Sequence, residues 1–175
     1  MLDLWYGDEA GFSLQSVVPY GWQAPGEALQ RLSRASTRLN VLGWVCESGH
    51  QLKSWPLVSS MTSAVLIEVL DAWVRELTQV TVLVLDNAPV HRSKAVQNRL
   101  AEWQQGGLYV FFLPAYSPHL NKMETVWRKI KYAQLTEAAY QSFSHLASAV
   151  KTLLTAYGTT WQVHFDLKHC IINSV

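Results

Sequence analysis

Val80-Thr81-Val82-Leu83-Val84-Leu85-Asp86-Asn87-Ala88-Pro89-Val90-His91-Arg92-Ser93 is the segment from which the architecture can be read. Its first six residues are apolar or β-branched with no polar alternation, a pattern that predicts a strand covered on both faces. Asp86 ends that strand, and a polar loop broken by Pro89 follows. In open α/β sheets, ligands bind outside the carboxyl ends of the strands. Taken alone, Asp86 reads equally well as a turn residue or as the cap of a helix starting near Ser93, because Asp-Asn-x-Pro is a common turn composition. The neighbouring segments choose between these readings.

Upstream, residues 4–14 read as a first strand and residues 38–46 as a second. Glu47-Ser48-Gly49-His50 is a turn, and residues 51–58 return as a third strand, so these segments form an antiparallel meander. Residues 15–37 are rich in Pro, Gly, Ser and Arg and predict a long loop, a feature that in compact domains is usually functional or covering. Residues 63–77 carry Val65, Leu66, Val69, Leu70, Trp73 and Leu77 at helical spacing behind a Thr/Ser cap. Downstream, residues 93–104 predict a helix ended by Gly106-Gly107, and residues 108–113 a fifth strand. Leu113-Pro114-Ala115-Tyr116-Ser117-Pro118 is a rigid connector. Helices at 121–135 and 144–157 follow, with a short strand expected within 162–165. The whole chain, 1–175, reads as one α/β domain: a mixed sheet of three antiparallel and then two parallel strands, flanked by helices. That order resembles the ribonuclease-H-like fold, in which acidic residues on the first strand, after the fourth strand and on a late helix converge.

The 175 residues suffice for one core, and 49% hydrophobic with 15% charged residues excludes a disordered chain. Eight Trp predict core and groove packing rather than a cofactor box. A net charge of +1 supplies no global field for a polyanion, so any such contact must come from local clusters. Three are visible: Arg31, Arg34 and Arg38; His91, Arg92 and Lys94; and Lys122, Arg128, Lys129 and Lys131. Each also reads as an ordinary solvated face. Cys46 and Cys170 lack metal spacing and read as buried thiols in a reducing compartment. The apolar runs are too short to span a membrane, and the start lacks signal-peptide features, which points to the cytoplasm and to no membrane partner.

The first strand offers Asp8 or Glu9. Successive strand side chains point to opposite faces, so only one can join a site, and periodicity does not choose. The second carboxylate is Asp86. The third is Glu124, in Asn121-Lys122-Met123-Glu124, where Asn-x-x-Glu equally reads as a capping box or Glu124 as an i,i+4 partner of Arg128.

Asp8-Glu9-Ala10-Gly11-Phe12, Leu85 to His91, and the run from Leu113 to Trp127 together resemble the catalytic core of bacterial insertion-sequence transposases related to the mariner superfamily, with a DDE triad. The resemblance covers nearly the whole chain, including the loop from Tyr20-Gly21-Trp22 to Gly26 and the run from Arg38 to Gly43. It implies Asp8 over Glu9, and assigns Asp8, Asp86 and Glu124 as catalytic metal ligands. It also implies DNA as partner, a TA-dinucleotide target and a homodimer in the active complex. The family often has proline where Lys122 stands. It also carries a helix-turn-helix before this core, which nothing here resembles. A separately encoded N-terminal DNA-binding half, a truncated copy or an isolated domain would each account for that.

The residue chemistry agrees. Three carboxylates without a His/Cys cluster suit Mg²⁺ or Mn²⁺, and two such ions would serve phosphodiester displacement. Asn87, His91 and Asn121 are expected to support those ligands or contact phosphate, although His91 reads as readily as a loop histidine bonded to a backbone carbonyl. Arg31, Arg34, Arg38, Arg92, Lys94, Lys122, Arg128 and Lys131 are the candidate DNA contacts. Trp22 and Tyr116 read as packing residues before base-stacking ones. The alternatives are a stand-alone metal nuclease of the same fold, or a non-catalytic remnant that binds DNA or a transposase.

Overall fold

The structure, a computed structural model, describes residues 2–14, 37–57, 60–115 and 117–165. Nearly all of the expected 15–37 loop, with Trp22, Arg31 and Arg34, lies outside the described residues, as do Tyr116 and Cys170.

Five strands form one sheet in the order β3-β2-β1-β4-β5. β1 (Asp3–Ser13), β2 (Arg38–Cys46) and β3 (Leu52–Leu57) pair antiparallel. The turn at 47–51 is short enough for a hairpin. β4 (Thr81–Leu85) pairs parallel to β1, and β5 (Leu108–Phe112) parallel to β4. Parallel neighbours need a long crossover, and α1 (Ser63–Val74) and α2 (Lys94–Gln105) supply it. Both begin at side-chain caps read from sequence: Thr62 accepts from the Val65 amide and Ser93 from the Val96 amide. Then come α3 (Lys122–Lys129) and α4 (Phe143–Thr155), with single-turn 3₁₀ segments at Pro118–Leu120 and Glu137–Gln141.

The sheet is covered on both faces, and strand alternation sorts its residues between two cores. On one face Trp5, Leu42, Trp44, Leu83, Leu85 and Leu108 meet Leu66, Leu70 and Trp73 of α1 and Val96 and Trp103 of α2. On the other, Ala10, Phe12, Val41 and Val45 meet Met123, Val126 and Trp127 of α3 and Leu146, Val150 and Leu154 of α4. Each fully buried side chain of this kind contributes about 1.5–3 kcal/mol. The tryptophans are mainly core residues, as the composition suggested. On the second face α3 and α4 lie over β1 and β2, while Tyr109 and Phe111 of β5 stay exposed.

Three local expectations change. The helix expected at 121–135 is α-helical only to Lys129. It then widens into a π-turn at Ile130–Gln134, closed by the Leu135 amide on the Ile130 carbonyl at 3.0 Å. The helix expected at 63–77 ends at Val74, where Glu76 and Leu77 turn back onto the Trp73 and Val74 carbonyls. No strand forms at 162–165. Instead Tyr157 and Trp161 form an isolated bridge with ring centroids 4.8 Å apart. The Tyr157 hydroxyl donates to the Gly49 carbonyl at 2.9 Å, which ties the chain's return to the β2–β3 turn.

One glycine governs how close α3 comes. Gly43 pairs with Asp8 across the β1–β2 ladder and faces α3. A Cβ there would lie 2.8 Å from Met123 Cε and 2.9 Å from the Trp127 ring. Gly43→Ala is therefore expected to lower unfolding stability by about 1–3 kcal/mol through overpacking, measured by thermal or urea melts. An unchanged midpoint would show that α3 is not held this tightly.

Candidate active site

The parallel pairing of β1 with β4 sets Tyr6 beside Val84. Two residues further along each strand, at the carboxyl end of β4, stand Asp8 and Asp86. Asp8 shares its parity with Tyr6, Ala10 and Phe12 and lies on the α3 face. Glu9 shares its parity with Trp5, on the α1–α2 face. The choice that periodicity left open is thus made by the layers packed on β1.

Asp86 is half-exposed and held by its own loop. Its Oδ1 accepts from the Ala88 amide at 3.1 Å and from His91 Nδ1 at 2.6 Å. A carboxylate offers no proton, so Nδ1 of His91 must carry one. His91 is only 4% exposed. It lies 3.4 Å from the Asp86 carbonyl, the backbone contact expected of a loop histidine, but its shorter bond is to the carboxylate. That hydrogen bond holds the Asp86 carboxyl below the usual range, against the opposing effect of burial, and the charge of His91 and the Ala88 amide add to it.

Asp8 behaves oppositely. Its pKa is pushed up to about 7, first by burial, then by the negative charges of Asp86 and Glu124, while the Glu9 amide and His91 pull it down. Asp8 keeps some solvent exposure, yet its surroundings are dense enough for desolvation to dominate. The repulsion also shows that Asp86 and Glu124 both lie within electrostatic reach of Asp8.

Glu124 sits in the first turn of α3. Neither ordinary role suggested by its sequence context is realised. The Asn121 amide that a capping box would engage donates to the Pro118 carbonyl at 2.9 Å. Glu124 makes no ion pair with Arg128 among the described residues. The cap is Asn121, whose Oδ1 accepts from the Met123 amide at 3.1 Å and whose Nδ2 donates to the Gly7 carbonyl at 2.9 Å.

The candidate DNA contacts divide. Lys94 and Arg128 are exposed. Arg38 is exposed and crosses Gly11 of β1. Arg92 donates to Asn87 Oδ1 at 3.2 Å and lies 5.1 Å from the Phe112 ring centroid. Asn87 is thus engaged with Arg92 rather than with a carboxylate. Lys131 stacks 5.5 Å from the Phe12 ring. Lys122 is not a free cation: it pairs with Glu47 and lies over the Tyr6 and Phe165 rings. Glu47 and Gly43 were not singled out from sequence. Gly43 would have emerged from the β1–β2 register, but the intervening 15–37 segment prevents counting that register along the chain.

Among the described residues, no three His, Cys, Asp or Glu side chains already form one coordination shell. The acidic trio nonetheless offers hard oxygen donors, with Asp8 raised first by burial and then by its two carboxylate neighbours, a donor set that fits Mg²⁺ or Mn²⁺ by chemistry rather than by a closed geometry.

A mixed sheet of this strand order, with carboxylates at the ends of adjacent parallel strands, has the arrangement of a ribonuclease-H-like core. The family model described as DDE superfamily endonuclease matches residues 3–147, and the chain belongs to that family. The insertion element IS630 uncharacterized 39 kDa protein of Shigella sonnei is 27% identical over 130 residues, covering 73% of this chain and 37% of that protein. Among solved structures, the Mos1 transposase paired-end complex with the left transposon end aligns with a TM-score of 0.63 at 20% identity, covering 87% of this chain and 48% of that one. The mariner Mos1 paired-end complex with Mg aligns with a TM-score of 0.62 at 21% identity, covering 88% and 48%. These likenesses establish the ribonuclease-H-like fold. The chain spans less than half the length of each of these relatives.

The raised pKa of Asp8 has a signed consequence. Between its ordinary value of 3.8 and about 7 the folded state binds a proton that the unfolded state has lost. Stability therefore falls as pH rises through that window. Asp86, whose pKa is lowered, contributes in the opposite sense, and its share is lost only as pH falls through the acid range. In divalent-free buffer, Asp8→Asn should therefore be more stable than the parent at pH 8 and gain little at pH 4, as read by thermal melts at both values. Equal differences at the two pH values would contradict the shift.

Proposed function

We propose that this chain is the catalytic core of an insertion-sequence transposase, cutting DNA strands at element ends and joining them to a target. The observation that carries this reading is the placement of Asp8 and Asp86 level on adjacent parallel strands, with Glu124 delivered to the same face by α3. Family membership and the likeness to an insertion-element protein support it.

Asp8, Asp86 and Glu124 would hold divalent ions, Mg²⁺ or Mn²⁺, and we propose two. Bound there, they would supply the charge that activates the attacking oxygen and stabilises the leaving one in phosphodiester displacement. The chain's own residues do the rest. His91 keeps Asp86 ionised and fixes its rotamer through the Nδ1–Oδ1 bond. Asp8, raised toward neutrality by burial and by its carboxylate neighbours, would be held ionised by a bound cation. Burial beneath α3 limits water around it. Lys94, Arg128, Arg38 and Arg92 stand near enough to the surface to meet phosphates, which positions DNA without reading sequence. We further propose a homodimer in the active complex and a separately encoded helix-turn-helix half as the source of sequence recognition. The site of action would be the cytoplasm, where the DNA is.

Two outcomes test this. Asp86→Asn removes a carboxylate oxygen with little change in shape, so it should melt close to the parent while losing about 10²-fold or more of Mg²⁺- or Mn²⁺-dependent cleavage, a loss of the size expected when reacting groups are misplaced. Cleavage that survives in this variant, or in EDTA, would sink the reading. A strand-transfer assay separates a transposase from a nuclease that only cuts.

DNA binding by this chain should be weak, similar for terminal-repeat and random duplexes, and steeply weakened by salt. Neutralising Arg128 should reduce the slope of log affinity against log salt by about one and leave sequence preference unchanged. Tight, salt-resistant selection of one repeat sequence would reveal a recognition element within these residues.

A further inference from the structure

Asn121 is one of three buried polar or charged residues among the described residues, at 4% exposure, and both ends of its side-chain amide are used. The oxygen caps α3 through the Met123 amide at 3.1 Å. The nitrogen crosses to β1 and donates to the Gly7 carbonyl at 2.9 Å. Gly7 is the residue before Asp8. The Asn121 carbonyl accepts from the Glu124 amide at 3.1 Å, which starts the turn that carries Glu124. One buried amide thus grips the peptide next to one carboxylate and the helical turn that bears another.

Capping does not require this. A cap needs only an acceptor, and Ser, Asp and Asn serve about equally well there. The donor to Gly7 is the half that capping leaves unexplained. The other contacts between α3 and β1 include an edge-to-face pair of Phe12 with Trp127 at 6.0 Å and the Lys122 ammonium 5.5 Å from the Tyr6 ring. Such contacts hold a helix against a sheet but tolerate small slides along it, whereas a hydrogen bond fixes both distance and direction.

We infer that Asn121 is a positioning residue that sets the place of Glu124 relative to Asp8 along β1. The inference rests on the proposed roles of those carboxylates. It treats the Gly7 bond as the device that lets three mutually repelling carboxylates be presented together.

The test uses the whole chain, with Mn²⁺ alone as probe, its affinity read by the electron paramagnetic resonance of the free ion, and cleavage rate as a second readout. Asn121→Ser keeps a capping oxygen and loses the Gly7 bond. Asn121→Asp keeps the cap and turns a carboxylate oxygen toward the Gly7 carbonyl. Ser142→Ala, which removes the cap of a different helix, α4, is the control for lost capping. Well below the melting temperature, Asn121→Ser should lose about 10- to 100-fold in Mn²⁺ affinity, the usual effect of removing a group that orients a ligand. Asn121→Asp should lose more, although it caps as well, and Ser142→Ala should lose none. Parent-like Mn²⁺ affinity and cleavage in folded Asn121→Ser, or equal behaviour of the Ser and Asp variants, would overturn the inference while a dead Asp86→Asn left the proposed function standing. Failure of the parent chain to bind Mn²⁺ at all would take down both.

Discussion

Everything at the site depends on β1 being packed on both faces. A one-residue slip of such a strand would move every side chain to the opposite layer, so its register is strongly specified. Trp5 belongs to the α1–α2 core and Ala10 and Phe12 to the α3–α4 core. That assignment sends Asp8 toward α3 and Glu9 away from it. Parallel pairing with β4 then sets Asp8 level with Asp86, since Tyr6 is locked beside Val84.

The site that results is electrostatically uneven. Asp86 has a buried histidine to stabilise its charge, and its carboxyl is held low. Asp8 has burial and two neighbouring carboxylates against it, and is pushed up to about 7. The Glu9 amide and His91 offset this only in part. The surrounding packing holds it in place: the close approach of α3 permitted by Gly43, the Asn121 bonds, and the Met123 and Trp127 side chains beneath. Such concentration of like charge is a local cost that the packing must hold in place.

Much of the scaffold was legible along the chain. The bounds of β2 are those read from its apolar run, and the caps Thr62 and Ser93 lie where the helix starts were expected. Asp86 stands at the end of an unalternating run because β4 is a central strand covered on both sides. The local motifs were less faithful. Asn121 to Glu124 has the composition of a capping box, yet Asn121 bonds Met123 and Gly7, and its own amide goes to Pro118. Lys122 looked like a surface cation and is instead held by Glu47.

Strand positions, helix caps and the identities of the candidate carboxylates follow from patterns a few residues long, because propensity, capping and hydrophobic period act locally. Asp8 against Glu9, the Asp8–Gly43 pairing, the Asn121–Gly7 bond and the capture of Lys122 follow from contacts between segments far apart in the chain. A side chain's face is set by what packs on it, and its partner by which strands meet. Neither is encoded in the residues beside it.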